Sequence, residues 1–354
     1  MWKRVLVAIL VVGGLMLALP RLEEAQDLEF EAYATIQAQP REAERSQASI
    51  YRAALRLATR NPDEAREQFE GIAASEGPFA SQARELASAI RAAQLEENKA
   101  YTFTLLGQAF ARVEAWEQSA QALEQAVAAD PNYAEAWAYL GEARQQAGLE
   151  GGREALQEAT SLNPASVSVN LFQALFWQRQ GDFERANRHL HISRMIEPAN
   201  PQLWIELGHN QVLAGNLLEA REYYQQAVEL EPQNPALWKQ FAHYSLSNHI
   251  FVEEVALPAA ERALSLAATD PEALNLAAQA YWQLDYGRGL VLRFLDAALS
   301  QNSNYAEAHL LSGIVHLELG QAQQAREHLE RVVALEETGA LAAQAQALIT
   351  ELSP

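Results

Sequence analysis

The chain has 354 residues and is 49% hydrophobic, enough to bury a large core, yet 46 acidic residues against 26 basic ones leave a formal charge of −20. That balance disfavours nucleic-acid phosphates and anionic lipid surfaces as partners, because both need a basic face. The absence of cysteine excludes disulfides, thiolate metal sites, cysteine nucleophiles and a lipid-bearing N-terminal cysteine.

Lys3 and Arg4 precede the apolar and glycine run Val5–Leu19, which is followed by Pro20 and the acidic stretch Arg21–Glu31. A spanning helix needs about 20 mostly apolar residues, and Trp2–Pro20 just reaches that length. A cleaved signal peptide shares the basic start but needs an A-x-A-like site. Met16-Leu17-Ala18 and Glu23-Glu24-Ala25 match such a site poorly. Residues 1–20 are therefore expected to form an uncleaved transmembrane anchor. The positive charges before it place the N-terminus in the cytoplasm and the rest of the chain outside, periplasmic in a bacterium. Residues 21–45, with Pro40 as a breaker, read as a linker.

Residues 46–99 carry a degenerate repeat and an extra helix. Ile50, Ala53, Ala54 and Leu57 form one apolar stripe, Asn61-Pro62 breaks it, and Ala65, Phe69 and Ile72 form a second. After Glu76-Gly77-Pro78 comes an alanine-rich helix, Phe79–Leu95, with no evident partner.

From Ala100 the pattern becomes periodic. Pro131, Pro164, Pro198 and Pro232 recur at intervals of 33, 34 and 34 residues. Gly148, Gly181 and Gly215 keep the same time, as do the small residues Gly107, Gly141, Ala174 and Gly208. Further columns recur with them: Trp137-x2-Leu140-Gly141, Trp204-x2-Leu207-Gly208 and Trp238-x2-Phe241-Ala242, each followed by alanines such as Ala159, Ala227 and Ala263. The run resembles the tetratricopeptide repeat, W-x2-L-G-x2-Y, then A-x3-F, then P. The resemblance covers residues 100–336 as seven repeats, with residues 337–354 as a capping helix. It implies an all-α, right-handed α-solenoid of stacked helix-turn-helix units, because no repeat can bury its apolar face alone.

The resemblance also implies that the first helix of each repeat lines a groove. Two columns on those helices give Leu171, Ile205, Lys239 and Asn275, and Leu175, His209, His243 and Gln279. They pass from an apolar patch (Leu171, Leu175, Ile205) to a polar one, which suits an extended or helical partner peptide. The plainer reading is a solvated groove face. An insertion around His249–Pro258 offers a second surface, a binding loop or a segment folded back on the core. The histidines do not make a metal site. His189 and His191 are two apart on a helix and face different ways, and no carboxylate completes His209 with His243. No nucleophile, base and orienting group occur together. The expectation is thus a non-enzymatic, membrane-anchored scaffold or assembly factor that holds a protein partner, without metal or cofactor. The alternative is a peptide-binding, chaperone-like factor, similar in layout to the anchored repeat proteins of bacterial cytochrome c maturation.

Overall fold

The structure, a computed structural model, describes residues 42–75, 77–336 and 339–352. The expected anchor, residues 1–20, and residues 21–41 lie outside the described residues. Among the described residues no helix is long and apolar enough to cross a membrane. Those residues form eighteen α-helices and no strand, in two units divided between Glu197 and Pro198.

The first unit contains α1 (Glu42–Leu57), α2 (Pro62–Ala73), α3 (Ala80–Gln94), α4 (Lys99–Arg112), α5 (Trp116–Ala129), α6 (Ala134–Gln146), α7 (Gly152–Leu162), α8 (Val167–Arg179) and α9 (Phe183–Ile196). The second contains α10 (Pro201–Leu213), α11 (Leu217–Leu230), α12 (Pro235–Ser247), α13 (Leu257–Leu266), α14 (Pro271–Gln283), α15 (Arg288–Gln301), α16 (Ala306–Glu318), α17 (Ala322–Leu335) and α18 (Ala340–Glu351). From α4 to α17 the helices pack as successive pairs within each unit.

Punctuation in the sequence sets these boundaries. Helices α5, α7, α9 and α11 end two residues before Pro131, Pro164, Pro198 and Pro232, since proline has no N–H and cannot continue a helix. A second set of prolines starts helices. Pro201, Pro235 and Pro271 occupy the first turn behind the caps Asn200, Asn234 and Asp270, whose side chains accept from backbone N–H groups. There the missing N–H costs nothing and the fixed φ favours the helix.

The small-residue column marks where paired helices touch. A Cβ added at Gly208 would lie 2.8 Å from the Tyr224 ring, and one at Gly141 2.5 Å from Leu156 Cγ. The tryptophan column does more than fill space. The indole N–H groups of Trp137, Trp204 and Trp238 donate to the carbonyls of Pro131, Pro198 and Pro232 at 2.8, 3.1 and 3.0 Å. Each hydrogen bond ties the start of one pair to the proline that closed the helix before it. Asn170 does the same for Pro164 at 2.8 Å, and His309 for the Ser303 carbonyl at 3.1 Å.

Three local features go beyond the sequence reading. Helix α3, the one without an evident partner, packs on α2, with Phe69 and Ile72 sharing a core with Leu86 and Ile90. That leaves α1 as the helix outside a pair, lying against α2. The insertion in the α12–α13 repeat folds back. Ile250, Phe251 and Val252 pack on the core of the second unit, and residues Val252–Ala256 form a π-turn leading into α13. The apolar side chains of this insertion thus pack on the core while remaining partly exposed, in line with the fold-back alternative. At the far end, Leu341, Leu348 and Ile349 of α18 cover Leu310, Leu329 and Val332, leaving Gln344, Gln346 and Glu351 facing solvent.

Candidate functional site

In the second unit, α10, α12 and α14 are the first helices of three successive pairs. They present Ile205 and His209, Lys239 and His243, and Asn275 and Gln279 at matching positions. Each couple is four residues apart and so shares one helix face. The structure divides these side chains by burial. Ile205 and Asn275 are only 4% and 1% exposed, whereas His209, Lys239, His243 and Gln279 are half-buried. Ile205 serves the core, so the accessible part of this face is polar.

Lys239 is the centre of charge. Its Nζ lies 2.8 Å from Asp270 Oδ2 and 2.5 Å from Glu272 Oε2. Burial works to lower the lysine, but the hydrogen bonds to Asp270 and Glu272 outweigh it and hold the ammonium above its usual range. Burial likewise works to raise Asp270, and Lys239 together with the N–H groups of Ala273 and Glu272 pulls it below the usual carboxylate range. Asp270 thus caps α14 and binds Lys239 at once. Glu272 and Glu307, in the first turns of α14 and α16, both act on His243. Burial nevertheless dominates and lowers that imidazole, so it stays neutral near pH 7. Its Nε2 lies 3.3 Å from Ser247 Oγ.

Beside His209, Glu206 is a buried carboxylate. It accepts from Gln202 Nε2 at 3.0 Å. Burial pushes it above the usual range, and His209 and the Gln202 hydrogen bond only partly oppose this. A surface cavity of about 340 Å³ lies elsewhere in this unit, lined by Trp204, Glu222, Tyr223, Gln225 and Gln226. None of the expected site residues borders it.

Leu171 and Leu175 lie on α8 of the first unit, and each is 5% exposed. They are packing residues, not an open apolar patch, and Leu175 belongs to the core of its unit. The polar feature there went unread in the sequence. Arg179 holds Glu142 of α6 in a two-pronged ion pair, with Nη1–Oε1 at 2.9 Å and Nη2 on Oε2. The available signal was Glu142 in the column of Leu175, with Arg179 one turn further on. Charge pairing across 37 residues leaves no local trace.

Four other histidines make contacts within their units. His189 Nδ1 lies 2.9 Å from Asn170 Oδ1. His309 Nδ1 and His328 Nδ1 are 2.9 Å apart, and His316 stacks on His328 at 5.5 Å. Among the described residues no group of three or more His, Asp or Glu side chains is placed to hold a metal ion.

Three stretches match family models of the tetratricopeptide repeat, at residues 104–150, 201–234 and 307–335. These three stretches are similar to tetratricopeptide repeats, and the described residues around them are all-helical. No curated protein matches it in sequence. Among solved structures, yeast Tom70 is similar with a TM-score of 0.59 and 13% identity, over 82% of this chain and 60% of that one. A tetratricopeptide repeat protein from Parabacteroides merdae gives a TM-score of 0.54 and 12% identity, over 77% of this chain and 100% of that one. The APC/C hetero-tetramer Cut9-Hcn1 gives 0.53 and 16%, over 84% of this chain and 60% of that one. This chain therefore spans about 60% of the Tom70 and Cut9-Hcn1 chains it resembles. At such identities the likeness is one of fold.

Proposed function

We propose that this protein is a membrane-anchored tetratricopeptide scaffold or assembly factor, held outside the cytoplasm, that binds a protein partner on the first-helix face of its second unit. One observation carries the reading: half-buried polar side chains recur at two fixed positions on three successive first helices, namely His209, Lys239, His243 and Gln279. A face that repeats every pair and remains polar and accessible suits an extended chain laid across it, because each repeat meets the next few residues of that chain. The anchor rests on Lys3, Arg4 and the apolar run that follows them.

The test is affinity purification of the full-length chain from detergent-solubilised membranes, beside a His209→Ala/His243→Ala variant. A partner retained by the first and lost by the second, at unchanged helicity and melting temperature, is the expected result. Equal retention by both would remove the partner from this face. Micromolar capture of many short peptides without a stable complex would favour the chaperone-like reading.

A further inference from the structure

The outward stripe of α9, in the first unit, departs from the charge of the repeats before and after it. Arg185, Arg188, Ile192 and Met195 follow one another at steps of three, four and three residues, which keeps them on one helix face. All four are exposed, Met195 by 77%, and Ile196 beside them by 41%. The 34-residue period makes the comparison direct. One repeat earlier, α7 has Glu154, Glu158 and Ser161 at the positions of Arg188, Ile192 and Met195. One repeat later, α11 has Glu219, Glu222, Gln226 and Glu229 at all four. Those side chains are exposed too, as the solvated face of an acidic chain should be. On α9 the charge is reversed and the second half of the stripe turns apolar.

The basic half is held in place. The Arg185 guanidinium lies 4.3 Å from the centre of the Trp177 ring, and its Nε lies 3.2 Å from Asp182 Oδ2, yet the side chain stays 49% exposed. Stacking on an indole orients the planar fork without using up its donors. Arg153 of α7 stands 5.9 Å from the same ring. Arg188 enters no ion pair among the described residues. Against the three arginines of α9 stands one acidic residue, Glu184, at the edge of the stripe.

Arginine and methionine are enriched at protein interfaces, whereas a solvated surface is richer in glutamate and lysine. The spacing of the stripe is that of a helix–helix seam. A second α9 does not fit it, because parallel pairing sets Arg on Arg and antiparallel pairing sets Arg against Met. Anionic lipid fits poorly as well, since three apolar side chains insert little area and a −20 chain is repelled. We propose that this stripe of α9 is a docking surface for an amphipathic helix of a partner polypeptide, whose acidic residues lie against Arg185 and Arg188 and whose aliphatic residues lie against Ile192 and Met195. It is separate from the first-helix face of the second unit.

The test uses the full-length chain in detergent, with Ile196→Cys carrying an environment-sensitive dye. The chain has no other thiol, so the dye reads the stripe alone. Three short helical peptides are compared: one with two Glu and then two Leu at the matching spacing, one with Lys for Glu, and one with Ser for Leu. The Glu/Leu peptide should bind at least about tenfold tighter than either of the others, the equivalent of one charge-assisted hydrogen bond. Arg188→Glu should turn the preference to the Lys peptide, and Met195→Ser should weaken the Glu/Leu peptide. Both positions are exposed, so melting should not change. Arg293→Glu, which makes the same charge change at an exposed position of the second unit, should leave binding as it was, and so should His209→Ala/His243→Ala. Equal losses in Arg188→Glu and Arg293→Glu would reduce the effect to net charge and overturn the proposal. Loss in the histidine variant would move the peptide to the second unit and overturn it too. A dye response to micelles containing phosphatidylglycerol, with none to any peptide, would give the stripe to lipid. Equal binding of the three peptides would leave it no specificity, and the proposal would fall.

Discussion

At the scale of single residues, the repeat is written in backbone constraints. Gly148, Gly181, Gly215 and Gly320 all turn the chain at positive φ, between 65° and 80°. Glu114 and Asp285 hold the equivalent turn positions after α4 and α14, each at φ 58°. A side chain in that conformation costs about 1–2 kcal/mol, while glycine adds about 0.5–1 kcal/mol of unfolded-chain entropy. Glu114→Gly should therefore stabilise the protein by roughly 0.5–1 kcal/mol, and Gly148→Ala should destabilise it. Chemical denaturation of the two variants checks this, and a loss of stability in Glu114→Gly would show that the Glu114 side chain earns its strained position. Turn glycines and closing prolines were legible in the sequence because only those residue types fit those dihedrals. Glu114 and Asp285 were not, because a strained residue leaves no mark on a pattern. Nor was the burial of Leu171, Leu175, Ile205 and Asn275, since a column fixes where a side chain starts and not what covers it.

At the scale of elements, pairing depends on the contacts of whole faces, and sequence conveys it unevenly. The seven pairs from α4 to α17 each carry some of the glycine, tryptophan and proline columns, so they were readable. Helices α1 to α3 lack those columns, and only packing shows that α3 belongs with α2. The α16–α17 pair carries a testable consequence. The Ser303 carbonyl can only accept, so His309 Nε2 must donate to it, and neutral His309 then accepts at Nδ1 from His328. Burial lowers both imidazoles. Arg331 lowers His309 further, and His309 and His316 lower His328, while Asp296 and Glu327 oppose the fall in His328. Below the unfolded value of about 6.5, the unfolded chain then binds more protons than the folded one, so stability drops as the medium is acidified. The contribution is complete above that value and is lost as pH falls through the folded values. Thermal melts between pH 7 and pH 5 should show this loss, and His328→Asn should reduce it. An unchanged pH slope in that variant would mean that other groups, His189 and His243 among them, carry the whole effect.

At the scale of the whole molecule, the charge and the proposed anchor point the same way. A chain with 46 acidic and 26 basic residues gains nothing from an anionic membrane surface, so adsorption by charge would not hold it there. The apolar run Val5–Leu19 would hold it through hydrocarbon burial, which salt does not weaken. The full-length protein should therefore stay with membranes through a high-salt wash and leave them only with detergent. In intact spheroplasts, protease added outside should digest the region after Arg21 if, as proposed, Lys3 and Arg4 hold the N-terminus in the cytoplasm. Soluble protein with a mature N-terminus between Ala18 and Gln26 would replace the anchor with a cleaved signal. Membrane-bound protein digested only after lysis would keep the anchor but reverse its orientation. In that case the proposed first-helix face of the second unit would meet its partner in the cytoplasm, and the search for that partner would move there.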